Sequence, residues 1–133
     1  MRVVRTLVHS ATIALWIAAL VSCSPATEKS SISQAELADR IGTRSAPLII
    51  DVRTRTEYDS GHIPGALNIP SSDLPAHLGE LGKKNREIVV YCERGGRSMA
   101  AASRLRGAGF SKVLHLEGDM SAWRASQLGC EGC

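Results

Sequence analysis

The residue with the most chemistry around it is Cys92. It follows the strand-like run Glu87-Ile88-Val89-Val90-Tyr91 and opens the segment Cys92-Glu93-Arg94-Gly95-Gly96-Arg97. The stretch from Ser98 to Leu105, rich in alanine, then reads as a helix. This order sets a thiol at a strand end, on a Gly-rich turn that faces a helix N-terminus. Backbone N–H groups and the positive end of the helix dipole both stabilise negative charge there. The thiolate is the reactive form of cysteine, so the placement predicts a nucleophile. Gly95 and Gly96 allow the positive φ angles that such a cradle calls for. Arg94 and Arg97 bring guanidinium groups suited to an oxyanion, and the alternatives are a solvated Arg94 and an Arg97 paired with a nearby carboxylate. Glu93 sets a negative charge beside the thiol and is expected to point outward.

The elements that must hold this loop are short and alternate in type. Ser33-Gln34-Ala35-Glu36 has capping-box form and starts a helix with Leu37 and Ile41 on one face. Leu48-Ile49-Ile50 is a continuous apolar run, as in a strand covered on both faces. Thr54-Arg55-Thr56-Glu57 is a second capping box, and Ala66 to Ile69 a short strand between a Pro-Gly turn and Pro70. Ser71 or Ser72 caps a helix expected to run to about Leu81, with Pro75 in its first turn. Gly107 and Gly109 close the helix after Cys92, Lys112 to Leu116 is a further strand, and Asp119 to Gln127 a last helix. Strands alternating with helices predict an α/β domain with a central, mostly parallel sheet flanked by helices. Ligands of such sheets bind beyond the C-terminal strand ends, where Cys92 falls.

The N-terminal end is read apart from the fold. Arg2 and Arg5 precede an apolar stretch, Ala11 to Val21, that is short for a bilayer span and ends Leu20-Val21-Ser22-Cys23. This resembles the lipobox of bacterial lipoproteins, which implies cleavage before Cys23 and diacylation of its thiol. An ordinary secretory signal is the alternative. Residues 1–22 are thus expected to be a signal peptide and 23–31 a flexible tether. The resemblance implies export to the periplasmic side of a bacterial membrane, with Ser24 pointing to the outer one. Loss of Arg2 and Arg5 lowers the net charge of +3 to +1. With few aromatics and no basic stripe, nucleic acid is not an expected partner. Of four cysteines, Cys23 carries the lipid, leaving Cys92, Cys130 and Cys133. An odd number in an oxidising compartment leaves at least one thiol without an intramolecular partner, and Cys92 is the candidate.

Three ordered motifs carry a family resemblance. Asp51-Val52-Arg53, Glu57-Tyr58, Gly61 to Ala66 and Asn68-Ile69-Pro70 resemble the first signature of the rhodanese homology domain. Tyr91-Cys92 through Arg97-Ser98 resembles its active loop, and Leu116 to Trp123 its C-terminal signature, with Asp119 where Gly is usual. The resemblance spans residues 32–128 and leaves 129–133 as a CxxC tail. Four residues separate Cys92 from Arg97, whereas the phosphatases and arsenate reductases related to this fold have five. The shorter loop suits a terminal sulfur rather than a tetrahedral oxyanion.

The implied activity is sulfur transfer through a persulfide on Cys92, with no separate cofactor and no metal. Thiosulfate or a related donor supplies the sulfur, and cyanide or a thiol accepts it. Glu93, Arg94, Gly95, Gly96, Arg97 and Ser98 would form the substrate-binding loop, Arg97 being favoured for the donor's sulfonate. Asp51 and Arg53 resemble positions that brace the loop, with Arg53 expected to pair with Glu57. His62 reads as a turn histidine satisfied by backbone, and Met120 and Trp123 as core. His77 and His115 fall at no metal-ligand spacing. Two rival readings are a non-catalytic binding module and a thiol-redox or persulfide-reducing protein in which Cys130 and Cys133 work with Cys92. A local disulfide is the plainer reading of that pair.

Overall fold

The computed structural model describes residues 28–133, so the signal-like segment and Cys23 lie outside the described residues. Five strands form one sheet: β1 (Ser31–Ile32), β2 (Leu48–Asp51), β3 (Leu67–Asn68), β4 (Glu87–Tyr91) and β5 (Lys112–Leu116). Their order is β1-β5-β4-β2-β3, and every pairing is parallel. The helices are α1 (Gln34–Arg40), α2 (Arg55–Asp59), α3 (Leu74–His77), α4 (Gly96–Gly107) and α5 (Asp119–Ala125). No helix among the described residues is long and apolar enough to cross a membrane.

The unbroken apolar run of β4 has a direct cause. Ile88 and Val90 pack on one face with Ile50, Leu105 and Phe110, while Val89 and Tyr91 pack on the other with Leu37, Leu116 and Trp123. Both faces of the central strand are covered, so the alternation of a half-exposed strand never arises. Met120 and Trp123 lie in the second cluster, as core residues.

Local signals explain the helix starts. Ser33 accepts from the Glu36 N–H ahead of α1, and Thr54 and Glu57 form a reciprocal capping box at α2. The helix expected from Ser71 to Leu81 is only one turn, Leu74–His77, preceded by Asp73 without a side-chain cap. With Pro75 in so short a segment and Gly79 and Gly82 close behind, there is little to propagate a helix. Ser31, read as tether, belongs instead to β1, which pairs with His115 and Leu116 of β5.

The tail is docked. His62 and Glu131 exchange backbone hydrogen bonds of 2.9 Å as an isolated antiparallel bridge, and Cys130 and Cys133 are joined in a disulfide. Gly61, at φ +124°, makes room for it, since a Cβ there would come within 2.3 Å of Cys133 Sγ.

Candidate active site

Cys92 follows the C-terminal end of β4 and is 2% exposed, and its thiol is the only free one among the described residues. The Gly95 N–H donates to Cys92 Sγ at 3.1 Å. That contact needs the chain to double back at Gly95, which sits at φ +106°. A Cβ at Gly95 would lie 3.2 Å from Asp119 Oδ2. Gly96 differs from expectation: it already belongs to α4 and has no positive φ, so the turn rests on Gly95 alone. The first-turn N–H groups of α4 have no intrahelical acceptor, which leaves the loop electropositive.

A shallow cavity of about 350 Å³ opens over the sulfur, lined by Glu57, Cys92, Glu93, Arg94, Gly96 and Arg97. Gly95 and Ser98 are buried behind it. Arg97 makes a two-pronged pair with Glu57, both contacts 2.7 Å. The pairing pulls the Glu57 carboxyl down to about 2, against some desolvation, and raises the Arg97 guanidinium. Arg97 is thus the carboxylate partner, and the expected Arg53–Glu57 pair is absent. Arg94 is exposed, with no hydrogen bond or ion pair among the described residues.

Arg53 turns the other way. Fully buried with Asp51, it contacts that carboxylate through Nε (3.0 Å) and Nη2 (2.7 Å). It also donates to the Gly61 carbonyl at 2.8 Å and reaches Glu93 in the loop at 3.3 Å. Burial works against the Arg53 charge, but Asp51 outweighs it and the guanidinium is raised. Glu93, expected to point outward, is instead held between Arg53 and Arg124, the latter at 2.6 Å. His62 stacks on Tyr58, with Nδ1 3.0 Å from the Tyr58 carbonyl and Nε2 3.2 Å from Glu131.

Asp119 and His115 were not expected at the site. The Asp119 carboxylate accepts from the Cys92 N–H (2.8 Å) and the Ser98 hydroxyl (2.7 Å), and its other oxygen is 2.9 Å from His115 Nε2. In the sequence Asp119 stands 27 residues from Cys92, and only its departure from the usual Gly marks it. The backbone explains that preference, because Asp119 sits at φ +52°. Among the described residues no three His, Cys, Asp or Glu side chains are disposed to hold a metal ion.

The model of the rhodanese-like domain matches residues 33–126. A sulfurtransferase of Allochromatium vinosum is 36% identical over 92 residues, covering 69% of this chain and 85% of its own. The rhodanese-like domain of the Alr3790 protein from Anabaena superposes with a TM-score of 0.72 at 34% identity, covering 79% of this chain and 80% of that one. A thiosulfate sulfurtransferase from Pseudomonas aeruginosa gives a TM-score of 0.67 at 26% identity, over 76% of this chain but 19% of that much longer one.

Proposed function

The chain belongs to the rhodanese-like domain family, and from that premise we propose that it moves sulfane sulfur from thiosulfate, or a donor like it, to a thiophilic acceptor through a persulfide on Cys92. The observation that carries this reading is the 3.1 Å hydrogen bond from the Gly95 N–H to Cys92 Sγ, at the floor of a cavity rimmed by Arg94 and Arg97. In the first step the thiolate attacks the outer sulfur of thiosulfate. An S–S bond forms to Cys92 as the bond to the sulfonate breaks, and sulfite leaves with the bonding pair. In the second step the acceptor attacks the outer sulfur and Cys92 departs as thiolate; cyanide becomes thiocyanate. Covalent catalysis divides one transfer into two easier ones. An N–H aimed at the developing charge stabilises each step, by about 3 kcal/mol where such a donor is well placed.

Arg94 is the better candidate for the donor's sulfonate, because Glu57 already occupies Arg97. A larger cleft of about 480 Å³ shares Gly96 and Arg97 with the first and adds Ser71, Ser72 and Arg104, giving room for an acceptor. Export and lipid attachment at Cys23 remain part of this proposal, and the Cys130–Cys133 disulfide suits an oxidising compartment.

Intact-mass measurement after exposure to thiosulfate tests the cycle. We expect a gain of one sulfur atom, about 32 Da, that cyanide removes as thiocyanate. The gain is expected to vanish in Cys92→Ala and persist in the Cys130→Ala/Cys133→Ala pair. Loss in the tail variant would favour the redox reading instead, and no gain in the intact protein would leave thiosulfate out as donor.

A further inference from the structure

Behind the thiol, away from the cavity, stand three side chains that the sulfur-transfer steps do not use. Ser98 Oγ lies 3.4 Å from Cys92 Sγ, 2.7 Å from Asp119 Oδ1 and 3.0 Å from His115 Nε2. His115 Nε2 lies 2.9 Å from Asp119 Oδ2, so one proton is shared across that contact. Ser98 and Asp119 are buried, whereas the His115 side chain is 22% exposed and lines a surface hollow with Ser30, Met99 and Arg106. The contacts therefore run unbroken from the sulfur to solvent.

The charges nearby leave one compensation open. On the loop side Glu93 is paired with Arg53 and Arg124, Arg97 is paired with Glu57 and also faces the Cys92 sulfur, and Arg94 is exposed. On the helix side Arg106 is turned to the carbonyls of Val113 and Ser30. Among the described residues, Asp119 faces only His115 as a possible cation. A buried carboxylate whose oxygens touch the Cys92 N–H and the Ser98 hydroxyl repels a thiolate unless its own charge is balanced.

Resting on Cys92 as the nucleophile, we propose that the Asp119–His115 pair accepts the Cys92 thiol proton through the Ser98 hydroxyl and releases it to solvent from the imidazole. The S–H bond breaks as its proton joins Ser98 Oγ, and the Ser98 hydroxyl proton passes to Asp119 Oδ1. No electron is transferred. The pair then holds two protons where it held one and carries no net charge, and the thiolate stands beside it facing the Gly95 N–H. Asp119 and His115 act through Ser98 and are positioning residues in this scheme, whereas Ser98 touches the reacting Cys92 sulfur itself.

The test reads the pH dependence of Cys92 alkylation by iodoacetamide, followed on the Cys92 peptide, and needs no sulfur donor. His115→Gln leaves Asp119 uncompensated, and the alkylation midpoint should rise by about one pH unit, a tenfold fall in thiolate at a given pH. Adding Asp119→Gly removes that charge with a residue at ease at positive φ, and the midpoint should return most of the way. An unchanged midpoint in His115→Gln, or a double variant as displaced as the single one, would overturn the proposal. The unsubstituted protein supplies a second measurement that no folding defect can confound. Its His115 ring resonances should titrate differently once Cys92 is alkylated, and identical titrations would sink the idea. Failure to take sulfur from thiosulfate, with these shifts intact, would refute the donor and not the proton route.

Discussion

Two arginine–carboxylate pairs flank Cys92, alike in chemistry and opposite in setting. Arg53 and Asp51 have no side-chain exposure, whereas Arg97 and Glu57 are 37% and 34% exposed. The first pair is tied to the Gly61 carbonyl and to Glu93, and so joins β2, the turn before β3 and the active loop. The second closes across the cavity mouth, in reach of water and of any anion that enters. Burial separates their roles. In a low-dielectric interior an ion pair is costly to break and fixes geometry, while at a wet rim the same pair is weak and exchangeable.

Cutting the buried pair is the severest way to probe this contrast. Arg53→Met leaves Asp51 buried with its charge unmatched, and removes the anchor of Glu93 as well. We expect a loss of about 3–5 kcal/mol, read from urea unfolding. A loss under about 1 kcal/mol would mean that water reaches Asp51 and that the two pairs do not differ in kind.

Short-range patterns are legible in the sequence and partners across the chain are not, for a physical reason. Cys92, the Gly turn and the capping box at Thr54 are short-range patterns, and each reappears at its expected place. Partners across the chain were another matter. Arg53 and Glu57 have the spacing of a helical pair, but Arg53 lies before the cap of α2, where that geometry does not apply. Tertiary packing gives Glu57 to Arg97, forty residues away. Likewise β1 has only two residues, too few to show a period, and it forms because β5 presents an edge to it. His115 and Asp119 are separated by a strand end and a turn, and only the fold brings them under the loop.

At the mouth, Arg94 sharpens the comparison because it is exposed and has no partner among the described residues. Arg94→Ala should leave stability within about 0.5 kcal/mol of the parent. If its guanidinium meets the donor's sulfonate, the KM for thiosulfate should rise several-fold, about 1 kcal/mol of partly solvated, charge-assisted binding, with kcat little changed. Salt should erode the parent's advantage. A KM that does not move would return the sulfonate to Arg97 and require Glu57 to release it.

The mildest effect belongs to Glu57, and its sign depends on pH. The carboxyl is drawn from its ordinary range to about 2, chiefly by Arg97, so it releases its proton more readily in the folded protein than in the unfolded one. Such a group adds stability above its unfolded value, near 4.5, and gives that stability up as pH falls from there toward 2. Glu57→Gln should therefore be less stable than the parent at pH 7 and converge with it near pH 2. Because both partners are more than a third exposed, the difference at pH 7 should be only about 0.5 kcal/mol. Thermal unfolding of parent and variant between pH 2 and 7, at low and high salt, would show it. A gap of several kcal/mol, or one that salt leaves untouched, would place this pair with Arg53 and Asp51 and dissolve the distinction between frame and rim.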